Sequence, residues 1–141
     1  MKFKIELEPG NPLHWDINSY SVDRLLGRPE GLDAQELRNL AYDAVYTVAA
    51  ECVAAGAKDV SHVKLFIDHE NGFLHANSVS GSPQITVNGR DGRTTRQFRM
   101  ALIAVIFGLQ EEAIAKAAEQ ALETVETQYG LTRQPGLGKK L

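Results

Sequence analysis

Residues 60–80 read VSHVKLFIDHENGFLHANSVS, two runs rich in apolar residues that are separated by Asn71-Gly72. An Asn-Gly dipeptide between two alternating runs is the strongest short-range signal for a β-hairpin. We therefore predict one strand over 60–68, a two-residue turn at Asn71-Gly72, and a second strand over 73–80.

The register of this hairpin divides its side chains between two faces. A turn at Asn71-Gly72 pairs Glu70 with Phe73 and Asp68 with His75. The core face then carries Val63, Leu65, Ile67, Leu74 and Ala76. The other face carries Lys64, Phe66, Asp68, Phe73, His75, Asn77 and Val79. Two phenylalanines and a valine are unusual on a solvated face, so this face is expected to meet a second subunit or a ligand.

The chain before the hairpin begins with an alternation of apolar and charged residues over 2–8, which is typical of a half-buried strand. Residues 10–32 are interpreted as a connection with a short helical turn at 21–26. A connection this long is often functional or part of an interface. Trp15, the only tryptophan, either plugs one end of the core or reaches a pocket or a partner subunit.

A first long helix is predicted from Asp33 to the residues before Gly56. Asp33 and Glu36 have the spacing of a capping box, and Gly56 stands where a left-handed C-terminal cap is expected. Apolar residues at helical spacing form its buried stripe: Leu37, Leu40, Ala41, Ala44, Val45, Val48, Cys52 and Val53. A cysteine on such a stripe is usually a small buried hydrophobe, so Cys52 is expected in the core.

The chain after the hairpin predicts two more strands and a second helix. A short strand is expected over 83–87, followed by a turn-rich loop over 88–92. Residues 94–109 are predicted to form a central strand that is covered on both faces, because apolar residues occupy both faces from position 100 onward. The second helix is predicted over 110–129.

This order, β-α-β-β-β-β-α, predicts an α+β fold in which two helices pack on one face of a mixed, mostly antiparallel sheet. The plan resembles that of ferredoxin-like sandwiches in architecture alone, and such an architecture hosts many unrelated functions. We expect a single domain over 1–132 and a flexible C-terminal tail over 133–141.

The composition is typical of a soluble protein of the cell interior. The net charge of −3 argues against nucleic acid as the main partner, because domains that bind it usually carry a basic field. One cysteine cannot form an internal disulfide, which suits a reducing compartment. No signal-peptide pattern opens the chain, and the longest apolar run is about half the length of a transmembrane helix. A cytoplasmic location without a membrane partner is therefore expected.

A cluster of four arginines is the candidate site for an anion: Arg90, Arg93, Arg96 and Arg99. Guanidinium groups beside glycine-rich turns can bind phosphate or carboxylate, and Asn77 would add a polar contact. No phosphate-binding loop or dinucleotide-binding motif accompanies them. The alternative is a solvated cluster that meets the protein's own acidic residues.

His75 and Asp68 are the candidate catalytic residues. A histidine oriented by a carboxylate can act as general acid or base near neutral pH. A metal site built from Asp68, His69, Glu70 and His75 is disfavoured, because adjacent strand residues point to opposite faces and cannot easily share one ion. We predict no metal and no cofactor.

Three functions remain open on these residues. The favoured one is a non-catalytic binding or assembly module that acts as a homo-oligomer, with a dimer preferred. Its contacts would be Phe66, Phe73 and Val79 on the hairpin, together with Trp15. The second is a small enzyme that acts on an anionic metabolite through the His75–Asp68 pair and the arginines. The third is a metal-binding accessory protein.

Overall fold

The computed structural model describes residues 16–79, 85–90 and 93–135. Two helices and six strands follow one another along these residues. The bounds are β1 Ile17–Leu32, α1 Ala34–Ala54, β2 Asp59–His69, β3 Gly72–Val79, β4 Ile85–Arg90, β5 Thr95–Phe107, α2 Glu111–Gln128 and β6 Thr132–Arg133.

The strands form one sheet in the order β4-β3-β2-β5-β1-β6, and the two helices pack against it. The predicted α+β class with two helices on a sheet is confirmed. The expectation of a mixed sheet is wrong for the described strands, because every pairing between them is antiparallel. β1 and β2 lie on either side of β5, so α1 connects two strands that are not neighbours in the sheet.

The core lies between the helices and one face of the sheet. α1 begins with the predicted capping box, in which Asp33 accepts from the Glu36 backbone and the Glu36 side chain accepts from the Asp33 backbone. The predicted stripe of α1 from Leu37 to Cys52 is buried. Val53 was expected on this stripe, but it is 61% exposed in the last turn of the helix.

The segment that was interpreted as a connection, 10–32, contains the longest of the described strands. β1 pairs with β5 from Ile17 to Gly27 and again at Leu32, so the helical turn predicted at 21–26 is wrong. Arg24 hid the alternation because it interrupts the apolar side of the strand. Its guanidinium is neutralised by Glu119 and Glu126 of α2, which are distant in sequence.

The hairpin is confirmed, but its turn is displaced. His69 pairs with Gly72 and Asp68 with Phe73, so Glu70 and Asn71 form the turn. Gly72 serves another purpose, since a Cβ at this position would lie 2.4 Å from the backbone oxygen of Arg90 on β4. The register differs from the predicted one by two residues. Because side chains alternate with a period of two, the residues whose side chains are described keep their predicted faces.

The strands after the hairpin differ from the prediction in extent and in cover. β4 spans Ile85–Arg90, so the part of the predicted loop from 88 to 90 is strand. β5 is central as predicted, between β1 and β2. Within residues 16–79, 85–90 and 93–135, cover on both faces is not found, because Ile103 is 38% exposed on the side away from the helices.

Some predictions fall at or beyond the limits of the described residues. The strand predicted over 2–8, residue Trp15 and positions 83–84 lie outside them. Of the predicted tail, Arg133 lies in β6 and the Gln134 backbone donates to the Leu25 carbonyl at 2.8 Å. Neither of the two described helices is long and apolar enough to cross a membrane.

Candidate functional site: the open face of the sheet

The face of the sheet turned away from the helices is the candidate site, and we call it the open face. Antiparallel pairing aligns its side chains in rows across five strands. The central row consists of Asp23, Ala101, Phe66, His75 and Asn88. The arginine row on one side consists of Leu25, Arg99, Asp68, Phe73 and Arg90. The lysine row on the other consists of Ser21, Ile103, Lys64, Asn77 and Thr86.

Large apolar side chains are exposed to solvent near the middle of this face. Phe66 is 55% exposed, Phe73 is 44% exposed and Ile103 is 38% exposed. Their neighbours along the same strands, such as Leu65 and Leu102, are at most 2% exposed on the core side. The open face therefore combines exposed aromatic and branched side chains with charged residues around them, whereas an ordinary solvent-facing sheet surface is mostly polar.

Two shallow depressions share Phe66 and Ala101 as part of their lining. One has a volume of about 300 Å³ and extends toward Ser21, Lys64 and Ile103. The other has a volume of about 400 Å³ and extends toward Asp68, Phe73 and Arg99. Both are wide open to solvent, which suits contact with a broad surface better than enclosure of a small molecule.

Arg99 forms a two-bond ion pair on the open face. Its Nε and Nη2 donate to the two carboxylate oxygens of Asp23 at 2.9 and 2.6 Å. The hydrogen bond from Arg99 holds the pKa of Asp23 below its usual range. Asp68, opposite Arg99 on β2, adds a weaker electrostatic attraction. Arg99 is thus occupied by acidic side chains of its own chain, as the solvated-cluster alternative predicted for the arginines.

The other predicted arginines do not converge on one point. Arg90 and Arg99 both lie in the arginine row, but two strands separate them, which corresponds to about 14 Å. The Arg90 guanidinium carbon lies 6.0 Å from the centroid of the Phe73 ring. Arg93 and Arg96 are exposed near the start of β5. The Arg90 guanidinium lies at Phe73 and that of Arg99 at Asp23, so the two arginines do not form one anion site in this arrangement.

His75 and Asp68 are diagonal neighbours on the open face. His75 lies opposite Phe66, with the ring centroids 5.6 Å apart, while Asp68 lies opposite Phe73. Diagonal positions on paired strands are about 7–8 Å apart, so we do not expect a direct hydrogen bond between the His75 and Asp68 side chains. Asn77 donates to Thr86 Oγ1 at 3.4 Å on the neighbouring strand. The side chain of Val79 lies outside the part of the chain that the structure describes.

His69 points to the opposite face from Asp68, as the alternation predicts, and its Nδ1 lies 3.1 Å from Thr95 Oγ1. Across residues 16–79, 85–90 and 93–135, no group of three or more His, Cys, Asp and Glu side chains could hold a metal ion. Cys52 is fully buried as predicted, and burial raises the pKa of its thiol to about 11. A thiol with so high a pKa is a poor nucleophile.

Sequence reasoning missed the contribution of β1 to the open face. Asp23 and Ser21 became part of the site only when β1 paired with β5. The signal was present in the alternation of Ser19, Ser21 and Asp23 with larger side chains. Arg24 concealed it, since a charged residue on the core side of a strand contradicts the usual pattern.

A polar cluster on the helix-covered side holds β1 against α2. Arg24 bonds to both Glu119 and Glu126, Tyr20 donates to Glu119, and Arg133 donates to Glu126. The Arg24 side chain is only 7% exposed. Its charges are matched within the cluster, so we assign it a structural role in placing β1 at its position in the sheet.

Comparison of the chain with known protein families, with curated proteins and with solved structures gave no match.

Proposed function

We propose that this protein is a non-catalytic assembly module that forms a homo-oligomer, with a dimer as the simplest form, through the open face of its sheet. The observation that carries the proposal is the exposure of Phe66 and Phe73 on one continuous sheet face. Contiguous apolar surface of this kind marks interaction sites in soluble proteins.

The residue pattern of β5 supports the same proposal independently. Its side chains are apolar on both faces from position 100, a pattern typical of a strand covered on both sides. Among the described residues the two helices cover one side, and Ile103 is 38% exposed on the other. A second sheet packed about 10 Å above the first would supply the missing cover.

Three finer expectations accompany this proposal. The likeness to ferredoxin-like sandwiches is proposed as an architectural relation. The cell interior is proposed as the location, on the grounds of the single buried cysteine. Assembly ranks above anion chemistry because Arg99 is held by Asp23 and the other arginines are dispersed.

The test is the mass of the untagged protein by light scattering and native mass spectrometry over a dilution series. We expect a dimer that Phe66→Gln converts to a monomer. Tyr46→Gln is the matched control, because Tyr46 is 58% exposed on α1 whereas Phe66 is 55% exposed on β2. The control should remain dimeric, and circular dichroism should show that both variants are folded.

A wild-type protein that stays monomeric up to on the order of 1 mM would overturn the proposal, because such an association would be too weak to act in a cell. Equal loss of the dimer in Phe66→Gln and Tyr46→Gln would also overturn it, since the contact would then not be specific to the open face.

A further inference from the structure

Opposite charges flank the most exposed apolar side chain of the open face. Lys64 and Asp68 lie two residues before and two residues after Phe66 on β2, and all three are exposed on the same side. A strand rises about 3.4 Å per residue, so each charge lies about 7 Å from Phe66 along the strand. Phe66 is therefore the midpoint between a positive and a negative side chain.

Neither of these two charges is matched in an ion pair within the described ranges. The neighbouring Arg99 is held by Asp23 through two hydrogen bonds, and Asp68 contributes only a weaker electrostatic attraction to it. Lys64 lies opposite Ile103 on one side and Asn77 on the other, so its cross-strand neighbours are uncharged.

We propose that a second copy of this chain covers the open face, related to the first by a two-fold axis that lies between the two sheets and crosses the strands at Phe66. This inference rests on the assembly role proposed above and adds the geometry of the contact. The axis sets Lys64 against the partner's Asp68, and Asp68 against the partner's Lys64. It also brings the two Phe66 rings together at the centre of the contact.

Charge selects this axis over the other simple arrangement. A two-fold axis parallel to the strands at β2 would set Lys64 against its own copy and Asp68 against its own copy. Like charges held opposite each other across an interface are costly, whereas opposite charges fix the register. An interface built on a two-fold axis presents the same patch twice, so it must be self-complementary. The order Lys64-Phe66-Asp68 is self-complementary, because a copy that runs in the reverse direction places each charge opposite one of the other sign.

The spacing of stacked sheets permits the contact. Two sheets packed face to face lie about 10 Å apart with their strands nearly aligned. The long stem of a lysine can cross most of this distance and meet the shorter aspartate of the other copy. Asp23 shares the central row with Phe66, but Arg99 already neutralises it.

The test uses two charge-reversed full-length chains, Lys64→Asp and Asp68→Lys, first alone and then mixed. Each variant alone places like charges at both contacts, so we expect its dimer dissociation constant to rise on the order of tenfold or more. The mixture should form a heterodimer of nearly wild-type affinity, because one chain then carries two acids and the other two bases. Native mass spectrometry distinguishes this heterodimer by mass.

Matched controls are Lys116→Asp and Glu123→Lys on the exposed surface of α2, which change the net charge by the same amounts. They should leave the dimer intact. The double variant Lys64→Asp with Asp68→Lys should restore self-association, and this result checks the pairing if a single variant folds poorly.

The outcomes separate this inference from the proposed function. If Phe66→Gln abolishes the dimer but the charge reversals do not weaken it, the assembly role stands and the crossing axis is overturned. A heterodimer of Lys64→Asp with the wild-type chain that is tighter than the wild-type dimer also overturns it. The crossing axis places an aspartate at position 64 against the partner's Asp68 and weakens this heterodimer, whereas an axis parallel to the strands would place it against the partner's Lys64 and strengthen it. A monomeric wild-type protein overturns both.

Discussion

The two faces of β2 differ in burial, although both carry apolar residues that alternate along one strand. Val63, Leu65 and Ile67 are completely buried beneath the helices. Phe66, between two of them in sequence, is 55% exposed. The chain therefore separates two kinds of apolar residue within a few positions. The inward set stabilises the monomer, and on our proposal the outward set stabilises the contact between copies.

The ion pairs of β1 show the same contrast between the two faces. Arg24 faces α2 with its side chain 7% exposed, and it meets two glutamates. Arg99 pairs with Asp23 on the open face, where the two side chains are 39% and 45% exposed. Burial removes the water that would otherwise stabilise each charge, so the loss of one partner matters far more on the covered face.

The largest difference is expected between Leu65→Ala and Phe66→Ala. Leu65→Ala leaves a cavity in the covered core, which should lower the free energy of unfolding by about 2–5 kcal/mol. Phe66→Ala should lower it by less than about 1 kcal/mol when measured on the dilute monomer, because exposed side chains contribute little. Urea unfolding at low protein concentration measures both. A similar loss for the two variants would show that the faces are equivalent within the monomer.

A smaller difference is expected between Arg24→Gln and Arg99→Gln. Arg24→Gln leaves the Glu126 carboxylate buried without its main partner, so we expect a loss of about 2–4 kcal/mol in unfolding free energy. Arg99→Gln removes an exposed pair, for which a loss of about 1 kcal/mol or less is expected. Unfolding in low and high salt provides the check. If Arg99→Gln lowers the unfolding free energy as much as Arg24→Gln does, the two ion pairs do not differ in their contribution to stability.

The smallest expected effect is a loss of stability at acid pH whose size depends on Arg24. Burial opposes the charge of Glu119, yet the hydrogen bond from Tyr20 and the Arg24 guanidinium hold its pKa below the ordinary value. A lowered folded-state pKa stabilises the protein above the ordinary glutamate pKa of 4.5, and this contribution is lost as the pH falls through the folded-state value. Arg24→Gln should flatten this fall in thermal unfolding from neutral to acid pH. An unchanged slope would exclude Glu119 as its source.

Local sequence signals predicted the elements whose partners are close in the chain. Asp33 and Glu36 have the three-residue spacing of a capping box, and the apolar stripe of α1 repeats at helical spacing. Both signals can be recognised within one short segment of the sequence. The hairpin faces were predicted although the turn was misplaced, because a shift of two residues returns every side chain to its own face. The candidate site was therefore partly visible before any tertiary contact was known.

Long-range partners account for what the sequence reading missed. Gly72 was interpreted as a turn residue, but the backbone of Arg90 approaches it too closely for a side chain. Arg24 interrupts the apolar side of β1, and the two glutamates that pair with it follow about a hundred residues later in the chain. Asp23 could not be assigned to the open face until β1 had taken its place beside β5.

The sequence by itself determined the α+β class, the two helices and the two-sided character of the hairpin, because these depend on residue spacing within single elements. Only the tertiary structure decided the antiparallel order of the strands, the partners of Arg24 and the neutralisation of Arg99 by Asp23. The physical reason is that the burial of a charge or an aromatic ring is a property of what packs around it. Those neighbours come from elements that the chain brings together only on folding.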